Sequence, residues 1–121
     1  MIRIRMMNFK EALTYDDVLL VPKYSDIKSR SEINIGNNLD DNLHLSLPII
    51  ASPMDTVCES SMANQMSNNG GLGIIHRYNT IGEQVEHVRK SKENNDNIIG
   101  AAVGVSDDCE ERALALYDAG A

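Results

Sequence analysis

Leu47-Pro48-Ile49-Ile50-Ala51-Ser52-Pro53-Met54-Asp55-Thr56-Val57, followed by Asn69-Gly70-Gly71-Leu72-Gly73-Ile74-Ile75-His76-Arg77-Tyr78, are the stretches whose reading decides the fold. Each holds a short apolar run that stops abruptly in polar residues. The runs are rich in β-branched residues and do not alternate with polar ones, the pattern of a strand covered on both faces. Leu47 to Ala51 is therefore predicted as one buried strand, with Pro48 at its start where a missing amide costs least. Gly71 to Ile75 is predicted as the next. Between them, Glu59 to Asn69 has helical spacing, with Met62, Ala63 and Met66 on one face and Gly70 as the stop. The methionines read as core filler rather than a soft-metal site. Gly70, Gly71 and Gly73 precede or sit inside the second strand, so they do not form a phosphate cradle, which lies between strand and helix. In strand-helix-strand units the chemistry gathers where the strands end. The residues at those ends are Ser52, Met54 and Asp55, then His76 and Arg77.

The pattern continues downstream. Thr80-Ile81-Gly82-Glu83 is a capping box, followed by Ile81, Val85 and Val88 at helical spacing and a Glu86–Lys90 pair. His87 falls on the exposed side of that helix. Lys92 to Asn97 reads as a loop and Ile98 to Val105 as a third buried strand. Asp107, with Glu110 three residues later, is predicted to open a third helix. Cys109, Ala113, Leu116 and Tyr117 would form its core face, and Gly120 would end it. The order β-α-β-α-β-α predicts an α/β fold with a parallel sheet. An open sheet and a slice of a (β/α)8 barrel both fit this order.

Upstream of these units lies an extension. Residues 1 to 12 carry little signal and are expected to be a poorly ordered start. Leu13 to Val21 is an extended or mixed apolar stretch stopped by Pro22. Its acids Asp16 and Asp17 are read as part of a turn capped by Thr14 or Asp16 rather than as a catalytic pair. Lys23 to Asn42 reads as polar loop with one short strand at Ile33 to Ile35. Lys23, Lys28 and Arg30 are expected to be solvated.

Bulk properties narrow the partners. At 121 residues the chain fits one domain. Its net charge of −7 argues against nucleic acid or an anionic membrane, which need a basic face. Met1 to Met7 lacks the apolar core of a signal peptide, and no run approaches the ~18 apolar residues of a membrane span. Cys58 and Cys109 form neither a metal-ligand spacing nor a redox pair, so plain thiols in a reducing cytoplasm are expected. No metal site is expected within this chain.

Four motifs in order carry a resemblance: Leu13 to Pro22 (LTYDDVLLVP), Ser52 to Val57 (SPMDTV), Gly70 to Arg77 (GGLGIIHR) and Gly100 to Val105 (GAAVGV). Together they resemble the IMP dehydrogenase / GMP reductase superfamily, and most closely the N-terminal part of IMP dehydrogenase. The resemblance implies that residues 13–121 are the first three βα units of a (β/α)8 TIM barrel, with the nucleotide at the C-terminal ends of its strands. Ser52-Pro53-Met54 favours the dehydrogenase, because reductases usually carry asparagine in place of that proline. His76-Arg77-Tyr78 and Lys28 to Glu32 fit reductases as well. The regulatory CBS pair that most dehydrogenases insert before the third strand is replaced here by a short polar loop, as in reductases.

By the same resemblance, Ser52 and Met54 would bind the purine nucleotide IMP, with Met54 against the base, and His76 and Arg77 would face the cofactor NAD, or NADP in a reductase. The family nucleophile is a cysteine on a later loop, and neither Cys58 nor Cys109 occupies that position. No catalytic residue is therefore assigned within this chain. The potassium-type monovalent cation site and the flap of the full enzyme also lie outside it. The implied activity is NAD-dependent oxidation of IMP to XMP, with the isolated chain inactive. The alternatives are NADPH-dependent deamination of GMP and a non-catalytic partial-barrel interaction fragment. A cytoplasmic homo-oligomer, usually a tetramer, is implied for the full-length enzyme.

Overall fold

A computed structural model describes residues 10–92 and 97–121. The poorly ordered start predicted for residues 1 to 12 falls mostly on residues 1–9, and the predicted loop mostly on 93–96; both lie outside the described residues. The chain divides into two compact units, Met1–Glu32 and Ile33–Ala121.

In the first unit the turn at residues 15–17 is closed by Thr14, whose amide and hydroxyl both donate to Asp17 Oδ2 at 2.9 Å. Asp17, not Asp16, is thus the partner of Thr14, and those two bonds hold its carboxyl below the ordinary range. Leu19, Leu20 and Tyr15 are almost fully exposed. The 3-10 turn at Arg30–Glu32 ends this unit.

The second unit opens with a small hairpin, β1 (Asn37–Asn38) against β2 (His44–Leu45). The strand predicted at Ile33 to Ile35 is not formed. Asn34 Oδ1 instead accepts the Gly36 amide, and Asp40 Oδ1 accepts the amides of Asn42 and Leu43. These side-chain bonds compete with strand pairing and move the ladder downstream.

The main body is a parallel sheet in the order β3 (Ile50–Ala51), β4 (Leu72–Ile75), β5 (Ile99–Ala101). Its helices are α1 (Ser60–Asn68), α2 (Ile81–Lys92) and α3 (Cys109–Ala119). The register places Ala51, Gly73 and Ile99 in one row, and Ile75 beside Ala101. This face meets all three helices in one core of Ala63, Ile75, Val88, Ile99 and Leu116. The opposite face carries Ile50, Leu72 and Ile74. Neighbouring strands are therefore consecutive in sequence, and the helices share one side.

Several predicted elements are shorter or differently buried than the pattern implied. Ile49 and Ile50 are about half exposed, at 53% and 46%, because β3 is an edge strand and its outer face meets no helix. The predicted strand at Ile98 to Val105 stops at Ala101, leaving Val103 and Val105 exposed in a loop. In α1 only Ala63 is fully buried, and Met62 is exposed. The start of α3 is Asp108 rather than Asp107, and Asp108 makes no side-chain capping bond. Ala113 and Tyr117 are exposed, and the inward position between them and the sheet belongs to Leu116 and Arg112. An arginine can be buried there because Gln84, Asn79 and Asp108 take up its donors.

The helix ends follow the sequence more closely. Gly70 (φ 80°) and Gly120 (φ 97°) adopt the left-handed conformation that stops α1 and α3. At the start of α2 the Thr80 amide and hydroxyl donate to Glu83 Oε2 at 2.8 Å, and the Glu83 amide donates back to Thr80 Oγ1 at 3.2 Å. Thr80→Ala is expected to cost about 1 kcal/mol in urea unfolding. The two Thr80 bonds hold the Glu83 carboxyl below its ordinary value of 4.5. A depressed folded pKa makes this contribution complete above the unfolded value and lost as pH falls through the folded one. The wild-type advantage over Thr80→Ala should accordingly shrink as the pH falls below the ordinary carboxylate range.

Candidate functional site

The C-terminal end of the sheet is built by three loops. The first, after β3, carries Ser52, Met54 and Asp55. A tight turn at Met54 brings the amides of Val57 and Cys58 to the Met54 carbonyl, both at 3.1 Å. Thr56 sits inside that turn at φ 58°, a left-handed conformation that is costly for a β-branched residue. The turn leaves the Met54 side chain 57% exposed, although it is apolar. Cys58 closes the loop and is completely buried. Burial pushes its thiol up, against a smaller opposing effect of a hydrogen bond with the Ile74 backbone. A protonated, inaccessible sulfur of this kind is not a nucleophile.

The second loop, after β4, carries His76 and Arg77. His76 is 3% exposed, and its amide donates to the Cys58 carbonyl at 3.3 Å, tying the two loops together. Its Nδ1 accepts the Tyr78 amide at 3.1 Å. The ring proton therefore resides on Nε2. That Nε2 points toward Asp55 Oδ1 at 3.8 Å and Glu59 Oε1 at 3.6 Å, and it has no hydrogen-bond partner.

Asp55, Glu59 and His76 place one ligand atom each within 4.8 Å of one another, a spacing that a metal ion could occupy. The tautomer does not fit one. A metal-ligating imidazole donates its other N–H to an acceptor, whereas Nδ1 here faces the Tyr78 N–H. His87 turns toward this cluster and is not on a solvated face as its position suggested. It is half-buried, with its ring centroid 6.3 Å from that of His76 and its Nδ1 buried without a partner.

Arg77 is exposed and leans on its surroundings. Its guanidinium lies 5.5 Å from the Tyr78 ring centroid and packs so closely on Gly104, in the third loop, that a Cβ there would come within 2.6 Å of Nη1. Glycine at 104 therefore gives the guanidinium a flat seat. Gly104→Ala should leave stability nearly unchanged, because the displaced atom ends a flexible side chain. It should also shift the Arg77 Nε resonance in an NMR spectrum.

The structure thus joins His76 to the Met54–Glu59 loop and Arg77 to the Gly104 loop. Ser52 stands exposed at the end of β3, and its carbonyl accepts the Met54 amide at 2.8 Å. Glu59 is the residue that sequence reasoning missed. It is the N-cap residue of α1, and only the docking of that helix brings it to the His76 ring.

The family model described as IMP dehydrogenase / GMP reductase domain matches residues 12–121. The chain belongs to the IMP dehydrogenase / GMP reductase family. It is 50% identical over 102 residues to an inosine-5′-monophosphate dehydrogenase of Nitrosopumilus maritimus, covering 84% of this chain and 21% of that protein. It is 52% identical over 82 residues to a GMP reductase of Leishmania donovani, covering 68% and 17%. A dehydrogenase of Staphylococcus epidermidis is 43% identical over 90 residues, covering 74% and 18%. The chain thus spans about a fifth of the length of these family members. Among the described residues, no helix is long and apolar enough to cross a membrane.

Proposed function

We propose that residues 13–121 form the first three βα units of an IMP-dehydrogenase-type (β/α)8 barrel and carry part of its purine-nucleotide site. The observation behind this reading is the exposed Met54, held by a strained turn at the C-terminal end of a parallel strand whose helices all lie on one side. An apolar side chain presented at that end suits the face of a base, and the singly wound order suits a barrel. Ser52 would accompany Met54 at IMP, and His76 and Arg77 would face NAD.

In the complete enzyme the reaction would be oxidation of IMP to XMP, with NAD accepting the hydride. Within this chain the buried Cys58 offers no nucleophile. The isolated chain, given IMP and NAD, is therefore expected to show no NADH formation, and turnover would contradict that assignment. Met54→Ala in a barrel completed by the remaining units should weaken IMP binding about tenfold or more while leaving the unfolding midpoint unchanged. Unchanged affinity would remove Met54 from the pocket. The 52% identity to a GMP reductase favours a second reading, NADPH-dependent deamination of GMP. Completed chains assayed with both substrate pairs separate the two.

A further inference from the structure

We propose that Gln84 is a positioning residue for the cofactor side of the site: it holds the loops after β4 and β5 at the separation that Arg77 needs. The starting point is a polar side chain in an apolar place. Gln84 lies on α2 one turn before the core residue Val88 and is completely buried. A buried amide is costly unless its groups are bonded, and a bonded one fixes a single arrangement. Its Oε1 accepts from Arg112 Nη1 at 2.8 Å, which sets the orientation of the amide and turns Nε2 toward the strand ends.

There Nε2 meets a fork. At the point where β4 and β5 end, the Ala102 amide donates to the Ile75 carbonyl at 2.9 Å. Gln84 Nε2 donates to the Ala102 carbonyl at 2.9 Å and stands 3.5 Å from the Ile75 carbonyl, so one side chain holds both arms. Beyond this point the chains part. The His76 amide turns to the Cys58 carbonyl in the first loop, and the other arm runs on to Gly104. Arg77 spans the gap between them, with its guanidinium seated on Gly104. The width of the gap therefore decides where the guanidinium stands, and Gln84 sets that width. An apolar side chain at 84 would fill the same volume without tying the loops, so filling the core does not by itself require glutamine. That Arg77 faces the cofactor rests on the reading above; the tie between the loops does not.

The test compares Arg77→Ala, Gln84→Glu and the double variant in the barrel completed by the remaining units, with the nucleotide and cofactor pair that it turns over. Gln84→Glu keeps the shape of the side chain and its bond to Arg112, and it has no donor for the two carbonyls. It should raise KM for the cofactor about tenfold and leave KM for the nucleotide within about twofold. Joined to Arg77→Ala, it should add nothing further to the cofactor KM, because it acts through that arginine. A purely structural role would give additive losses or raise both KM values together, and either result overturns the proposal. In the 121-residue chain without ligand, Gln84→Glu should also move the Arg77 Nε resonance, and a resonance left in place overturns it too. Gln84→Met, apolar and of similar length, takes the place of Gln84→Glu in every arm if the carboxylate variant does not fold. A cofactor KM unchanged in Arg77→Ala overturns the cofactor reading and the proposal with it. A cofactor KM raised in Arg77→Ala and unchanged in Gln84→Glu overturns the proposal alone.

Discussion

Gly73→Ala is expected to destabilise the second unit by about 3 kcal/mol, read as a fall in the urea midpoint with an unchanged slope. A Cβ on Gly73 would stand 2.5 Å from Ala63 Cα and 2.9 Å from Ala63 Cβ. Ala63 is completely buried on α1, and Gly73 lies mid-strand in β4, so neither can relieve the contact by turning a side chain. The helix must lift from the sheet, and the shared core of Ile75, Val88, Ile99 and Leu116 loosens with it. Gly82 supplies the control. An added Cβ there meets nothing within 4 Å, and the residue lies in the first turn of α2. Gly82→Ala should be neutral or stabilise by up to about 1 kcal/mol. Equal effects of the two substitutions would show that close approach of α1 to β4 is not what Gly73 provides.

Arg112→Met should cost about 2–4 kcal/mol, the second large effect. The guanidinium is 8% exposed; Nη1 donates to Gln84 Oε1 at 2.8 Å, Nη2 to Asp108 Oδ2 at 2.8 Å, and both to the Asn79 carbonyl at 3.3 Å. Gln84 is completely buried and donates onward to the Ala102 carbonyl at 2.9 Å. One arginine thus fastens α3 to α2 and to the loops after β4 and β5. Its removal strands the Gln84 oxygen in the core, where water does not reach it. Arg112→Lys should not restore the loss, because a point charge cannot replace the planar fork. The double variant with Gln84→Leu should be less destabilised than the sum of the singles, since the stranded oxygen is then gone.

The same network sets a pH response. Asp108 is held below the ordinary carboxylate range by the Ser106 hydroxyl first and by Arg112 second. Its contribution is present above the unfolded value and is lost as pH falls through the folded one. Arg112→Met should therefore make the acid limb of the stability curve shallower only in part, because the Ser106 hydroxyl bond to Asp108 remains.

The fold was legible where local chemistry decides it. The Thr80–Glu83 box, the Glu86–Lys90 pair and the glycine stops at 70 and 120 depend on residues a few positions apart, and all are formed. Burial was less legible, because it depends on which elements arrive from elsewhere. Ile49 and Ile50 read as two-sided core and instead flank an edge. Arg112 is buried although no periodicity marks it, because its partners come from residues 79 and 84. The site was half legible for the same reason. Strand ends marked Met54 and His76, but the approach of Glu59 to the His76 ring depends on how α1 docks against β4, and no spacing in the sequence encodes that.

The claim that the strand ends hold a purine nucleotide is tested most directly by titrating IMP into the chain carrying methyl-labelled methionine. The prediction is a saturable shift confined to Met54, with Met62 and Met66 on α1 unmoved. Shifts at the α1 methionines with Met54 silent, or no saturable shift at all, would contradict it.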